Sequence, residues 1–306
     1  MSTIDWRGVM PAITTPFHPD LSIDHASLAS LTRLMIERGS TGVVTPGSLG
    51  EGSTLSREEK AAVWRTCVGA VGGAGSGAGG KPVIAAIASA STAEAVASAR
   101  EAEAAGCRGL MVLPPYVHSG DAREAEAHVS AVVHATRLSC MLYNNPIAYG
   151  TDFVPERVAA LARALPNLHA VKESSGDVRR ITAIRALTGD RLAVFVGVDD
   201  LIVEGVAAGA VGWIAGLVNA FPDESVRLFR AAIEGGPEAS RGLYEWFLPL
   251  LRLDVVPKFV QLIKLAQQEA GTGNERVRPP RLTLEGAERE AALRVIRDAV
   301  RTRPGG

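Results

Sequence analysis

A chain of 306 residues, 47% hydrophobic and 21% charged, carries enough apolar mass for one large core, so a single α/β domain of barrel size accommodates it. A formal net charge of −1 excludes an overall basic character, and with it nucleic acid or an anionic membrane as the expected partner. No apolar run approaches the roughly 20 residues that cross a bilayer, which excludes a membrane-spanning class.

In chain order, MSTIDWRGVMPAITTPF lacks a basic segment leading into an apolar one, so no secretory leader is expected and a cytoplasmic location is. Within it, GVMPAITTPF is the first of eight short apolar, β-branched runs. The others are TGVVTPGS, PVIAAIAS, GLMVLPP, SCMLYNNP, LHAVKESS, LAVFVGVDD and AVGWIAGLVN. Their hydrophobicity is continuous rather than alternating, as strands covered on both faces of a parallel sheet require. Longer helical patterns separate them. Ser56 and Glu59 stand in capping-box spacing at the start of one, and Ser91 and Glu94 repeat it in the next, which stops at Gly106.

About eight βα units by residue 235 predict a (β/α)8 TIM barrel over 1–235. A doubly wound sheet is the weaker reading, because TTPFHPDLSID after the first strand has no glycine fingerprint. Further helical patterns, SRGLYEWFLPLLRL, VPKFVQLIKLAQQEA and EGAEREAALRVIRDAVRT, predict a C-terminal helical extension over 236–306 packed on the barrel. GSGAGGKP, Gly75 to Pro82, nearly spells a phosphate-binding loop. Pro82 replaces the required Ser/Thr and the segment precedes a strand, so it reads as a connecting loop. The six histidines form no HxxxH or histidine–carboxylate cluster, so no metal is expected. Cys67, Cys107 and Cys140 are widely spaced and read as buried free thiols.

In a barrel the C-terminal strand ends and the loops after them build the active site. Those ends offer Thr14 and Thr15, Gly47 to Glu51, Pro115 and Tyr116, Tyr143 to Asn145, Lys172 and Glu173, Gly197 to Asp200, and Ile214 to Asn219. Tyr143 and Lys172 end the fifth and sixth runs, so they project into one mouth from neighbouring strands. Burial disfavours the charged form of a lysine, and a neutral amine condenses with a carbonyl to give a Schiff base. A phenol beside it can move the protons that imine formation needs. In GSLGE, Gly47 and Gly50 let backbone amides approach a carboxylate and the Ser48 hydroxyl adds a donor. The three parts together describe a site for a 2-oxo acid. Taken singly, Lys172 would be a snorkelling strand end, Tyr143 a core aromatic and GSLGE a tight turn.

PAITTPF, GSLGE, YNNP, VKESSGD and GVDD, in this order and spacing, resemble the dihydrodipicolinate synthase/N-acetylneuraminate lyase family of Schiff-base TIM barrels. The resemblance covers nearly the whole chain. It implies Lys172 as the Schiff-base lysine, Tyr143 as the proton-relay tyrosine, and Ser48 and Leu49 at the family's carboxylate-binding pair. Tyr116 falls where synthase members place a tyrosine that reaches into a neighbouring subunit's site, and a homotetramer is implied only through it. Gly197 and Ile214 stand where backbone lines the pocket. No cofactor is implied.

Two positions depart from the synthase pattern. Ala148 in YNNPIAYG stands where an arginine grips the second substrate's carboxylate, and Leu49 replaces a threonine. VKESSGDVRR, YEWFLPLLRLD and RPPRL are most similar to 1-pyrroline-4-hydroxy-2-carboxylate deaminases of hydroxyproline breakdown, with L-2-keto-3-deoxyarabonate dehydratases close by. The expected activity is therefore a Schiff-base lyase or deaminase acting on a small 2-oxo acid or its cyclic imine, with release of ammonia and 2,5-dioxopentanoate as the leading reading. The dehydratase, the synthase and other 2-oxo-acid aldolases of the family are the alternatives. A glycosidase using Glu51, Glu173 or Asp199 is the rival from another class, though a chain 5% aromatic is poorly supplied with sugar platforms. A sensor that binds without turnover has no use for both Lys172 and Tyr143.

Overall fold

A computed structural model of the protein describes residues 4–72, 80–118 and 120–304. Eight parallel strands, β1 (Gly8–Pro11), β2 (Val43–Thr45), β3 (Val83–Ile87), β4 (Gly109–Val112), β5 (Ser139–Asn144), β6 (Leu168–Glu173), β7 (Ala193–Val196) and β8 (Gly212–Ala215), are laid side by side in the order β1-β8-β7-β6-β5-β4-β3-β2. The two ends of that order meet at a single parallel bridge, Ala12 to Val44, where the Ile13 amide donates to the Val44 carbonyl at 2.9 Å. The sheet thus closes into the expected barrel. Every residue of β2, β3, β4 and β8 is buried, which is why their apolar character runs on without alternation.

The helices between strands begin largely as their sequences require. Ser56 and Glu59 form a complete capping box on helix Arg57–Ala70. Ser91 caps helix Thr92–Ala104 through the Glu94 amide, but the Glu94 carboxylate turns instead to the Ser89 hydroxyl at 2.8 Å, so that box is only half formed. One helix escaped the sequence pattern. Pro146–Tyr149 is a single turn after β5, with Asn145 as its cap, Pro146 at its first position and Gly150 in the left-handed region at its end. It is too short for an apolar period to mark it. The glycine-rich part of GSGAGGKP lies outside the described residues; Pro82 leads directly into β3.

After β8, helix Pro222–Leu251 joins the eighth barrel helix to the first helix of the C-terminal region. Gly236, at φ 69° and ψ −166°, breaks it, and Pro237 starts its second half. Helices Phe259–Ala270 and Gly286–Arg301 follow. A buried ion pair fastens this region to the barrel. The Lys264 amine donates to Glu51 Oε1 at 2.5 Å and to the Thr15 and Arg276 carbonyls at 2.8 and 2.6 Å, and the Arg278 amide donates to Glu51 Oε2 at 2.9 Å. Both side chains are sealed from solvent, at 1% and 0% exposure.

At the opposite end of the strands a polar chain plugs the barrel floor. The Trp6 indole donates to Ser139 Oγ at 2.7 Å, and that hydroxyl pairs with His169 Nδ1 at 2.7 Å. Cys67, Cys107 and Cys140 are buried free thiols, and burial pushes Cys67 up to about 11 and Cys140 to about 12. Among the described residues, no helix is long and apolar enough to cross a membrane.

Candidate active site

The register of β5 on β6 pairs Tyr143 with Lys172, so both side chains leave the same face of the sheet at its C-terminal end. The Lys172 amine stands 4.1 Å from the centroid of the Tyr143 ring, and each residue is only 7% exposed. Beyond β7, Gly197 makes room for the lysine. A Cβ on it would lie 2.5 Å from Lys172 Cε and 2.0 Å from Ser174 Oγ, so any larger residue would displace both. Ser174 Oγ is itself buried and has no hydrogen-bond partner.

The two buried lysines of this barrel differ in a way that sorts their roles. Lys264 has three hydrogen bonds and a paired carboxylate. Lys172 has no hydrogen bond or ion pair among the described residues; its amine lies over the Tyr143 ring, with the Asp199 and Asp254 carboxyls within electrostatic reach.

Tyr143 and Tyr149 meet edge to face with ring centroids 5.7 Å apart, and the Tyr149 hydroxyl is 2.5 Å from Ser48 Oγ. Asn145 Nδ2 donates to the Tyr143 hydroxyl at 2.9 Å. The short turn Pro146–Tyr149 therefore carries a second tyrosine into the site, one the sequence reading missed. Its signal was the capped pattern Asn145-Pro146…Gly150, which rotates Tyr149 inward and leaves Ala148 exposed. Burial and the neighbouring phenols Tyr143 and Tyr116 push the Tyr149 hydroxyl well above the ordinary tyrosine range, so it stays protonated. Tyr116 is near enough to act on it, yet it is 40% exposed; Val117 beside it in sequence and Ile147 on the turn after β5 are also exposed, at 72% and 76%.

The GSLGE turn after β2 puts Ser48 at the mouth and buries Leu49. Gly50 is required there: a Cβ would fall 2.8 Å from the Ile13 carbonyl oxygen. Gly47 is less constrained, meeting its nearest neighbour, Ala86 Cβ, at 3.7 Å. Ile214 is buried within β8, registered against Met10.

The carboxylates that a glycosidase would use are engaged elsewhere. Glu51 holds Lys264, and Glu173 accepts from Asn144 Nδ2 at 2.9 Å and the Ser175 amide at 2.7 Å. Asp199 accepts from the Trp213 indole at 2.9 Å and from the Gly216 and Leu217 amides at 3.1 and 2.9 Å, while burial pushes its carboxyl up to about 6. A further acid escaped the sequence reading altogether. Asp254, from the C-terminal region, lays its carboxyl against Gly216, where a Cβ would lie 2.0 Å from Asp254 Oδ1. Among the described residues no group of three or more His, Cys, Asp or Glu side chains could hold a metal.

Comparison with known proteins finds matches over nearly the whole chain. The model of the dihydrodipicolinate synthetase family matches residues 5–299. A 4-hydroxy-tetrahydrodipicolinate synthase of Desulforamulus reducens is 29% identical over 97% of this chain and 98% of its own. One of Methanothrix thermoacetophila is 32% identical over 95% and 96%. Among solved structures, a dihydrodipicolinate synthase of Bacillus anthracis superposes with a TM-score of 0.90 at 27% identity, covering 99% of this chain and 100% of that one. That of Aquifex aeolicus gives 0.89 at 26%, covering 96% and 98%. With a family model spanning nearly every residue and the same barrel in the solved relatives, this chain belongs to the dihydrodipicolinate synthetase family and is a Schiff-base lyase.

Proposed function

We propose that Lys172 forms an imine with the carbonyl carbon of a small 2-oxo acid, that Tyr143 moves the protons of imine formation and release, and that the GSLGE turn with Ser48 receives the substrate carboxylate. The carrying observation is the buried Lys172 amine, unpaired and 4.1 Å from the Tyr143 ring. The protonated imine draws electrons from the neighbouring carbon, which then exchanges its proton or makes and breaks bonds. The names of the relatives favour condensation to 4-hydroxy-tetrahydrodipicolinate as the finer reading.

One observation favours a second reading. The turn after β5 presents Ala148 to solvent, and the mouth at that point is filled by Tyr149 bonded to Ser48. Ala148 cannot grip a second carboxylate, whereas loss of water from one substrate needs no such grip. That supports deamination of 1-pyrroline-4-hydroxy-2-carboxylate, or dehydration of L-2-keto-3-deoxyarabonate, to 2,5-dioxopentanoate.

The purified protein should be offered three substrates: pyruvate with aspartate 4-semialdehyde, the hydroxypyrroline carboxylate, and the ketodeoxy acid. Turnover of the first alone supports the synthase reading. Ammonia released with 2,5-dioxopentanoate supports the deaminase, and the same product from the open-chain acid without ammonia supports the dehydratase. Turnover of none of them overturns all three.

We also propose a homo-oligomer in which a second copy covers the exposed Tyr116, Val117 and Ile147. In sedimentation the protein is expected to run as more than a monomer and Val117→Asp to shift it towards monomer; a monomeric wild type at micromolar concentration overturns this.

A further inference from the structure

We propose that Asp254 is a catalytic acid of the Lys172 site, and that its carboxyl proton passes to the substrate oxygen on the carbon β to the imine carbon. The inference rests on the Lys172 imine reading and is common to its condensation and water-loss versions, because both work on that one oxygen.

Three structural facts lead there. Asp254 lies 82 residues beyond Lys172 in sequence, yet its carboxyl packs on Gly216, the residue that follows β8 at the barrel mouth. Its Oδ1 atom is closed to solvent and has no hydrogen-bond partner. Buried polar atoms are nearly always paired, so an orphaned one at a mouth points to a group that arrives with the ligand. Gly216, finally, is kept in place from the other side, its amide donating to Asp199. The backbone under Asp254 is thereby fixed and the acid has a defined aim.

The surroundings say which protonation state it holds. Asp199 and Asp200 face it from the turn after β7, Lys172 faces it from β6, and Arg252 pairs with Asp200 at 3.8 Å. Burial first, then the charge of Asp199, raises the Asp254 carboxyl well above the carboxylate range, against the pull of Lys172. Asp199 has three N–H donors to support a negative charge and Asp254 has none on Oδ1, so of the two acids Asp254 keeps the proton.

The steps balance. With Lys172 Nζ doubly bonded to C2, Tyr143, having given its own proton to the departing carbinolamine hydroxyl, takes a proton from C3, and the enamine forms. In the water-losing direction the enamine electrons make the C3–C4 double bond, the C4–O bond breaks, and the oxygen leaves with the Asp254 proton as water. In the condensing direction C3 attacks an aldehyde carbon, the carbonyl pair moves to oxygen, and that oxygen takes the Asp254 proton. In each case the proton gained at Tyr143 matches the one lost from Asp254.

The test separates enamine formation from chemistry at C4. Wild-type protein in D2O is expected to exchange the methyl protons of pyruvate and to give a borohydride-reduced pyruvate adduct on Lys172. Asp254→Asn should keep both within about threefold while losing roughly 100-fold or more in turnover of whichever full substrate is accepted, the size of a lost general acid. Because the acid works only when protonated, wild-type turnover should fall as pH rises through the Asp254 pKa, and pyruvate exchange should not share that limb. This wild-type comparison stands even if the variant fails to fold. Turnover of Asp254→Asn within threefold of wild type, loss of exchange along with turnover, or one alkaline limb common to both reactions overturns the assignment of Asp254 alone. Absence of a borohydride-reduced adduct on Lys172 in wild type, with pyruvate and with whichever full substrate is turned over, overturns the imine reading and this inference with it.

Discussion

Lys172→Ala is expected to lose at least ~10^3-fold in turnover, equivalent to about 4 kcal/mol of barrel chemistry, and to give no borohydride-reduced adduct. Lys172→Arg should be equally inert, since a guanidinium does not deprotonate to a nucleophile. Neither loss should reflect unfolding. Lys172 has no bonded partner among the described residues, so its removal leaves no hydrogen bond unmade, although it takes a charge away from the Asp199 and Asp254 carboxyls. The thermal midpoint of Lys172→Ala should stay within a few degrees of wild type, the effect of about 1 kcal/mol in a domain of this size. An adduct that survives in Lys172→Ala would sink the imine mechanism.

The second large effect concerns the other buried lysine. Lys264→Met leaves Glu51 sealed from solvent with only the Arg278 amide and a distant Arg281 guanidinium, 3.9 Å away, to support its charge. Breaking a buried pair on one side costs about 3–5 kcal/mol, so the denaturant midpoint should fall sharply. Adding Glu51→Gln should restore most of that loss, because the orphaned charge disappears. A single variant as stable as wild type would show that the pair does not hold the C-terminal helices. The contrast predicts opposite phenotypes for two lysines of similar burial: one inactive and folded, the other unstable.

These lysines also mark what the sequence could reveal. Lys172 was legible because it ends an apolar run directly before small polar residues, and strand ends in a barrel share one mouth. Tyr143 was legible for the same reason, as both positions depend only on local pattern and strand order. Lys264 sits inside VQLIKLAQ on the buried face of its helix, a position where a lysine needs a partner. That anomaly was readable, but its partner Glu51 is 213 residues away and no local rule connects them. Asp254 was harder still, since LRLD reads as an ordinary solvated helix end and only the packing of the C-terminal region against Gly216 gives it meaning. Tyr149 lay between these cases: its capped turn was visible, its aim was not.

The strand ring has one weak joint. Every neighbouring pair shares a registered ladder except β1 and β2, which meet at the Ala12–Val44 bridge, with the Thr41 amide donating to the Val9 carbonyl at 2.9 Å beside it. Local opening tracks the hydrogen bonds and buried contacts that must be broken, so the ring parts at least cost there. Lys172 and Tyr143 lie on β6 and β5, held side by side in the part of the ladder that runs in register from Met141 and Ala170 to Asn144 and Glu173. Ser48 follows β2, on one bank of the joint. Opening at this joint is therefore expected to move the turn assigned to hold the substrate more than the lysine and its phenol, which places substrate entry and bond chemistry on parts of the ring with different stiffness.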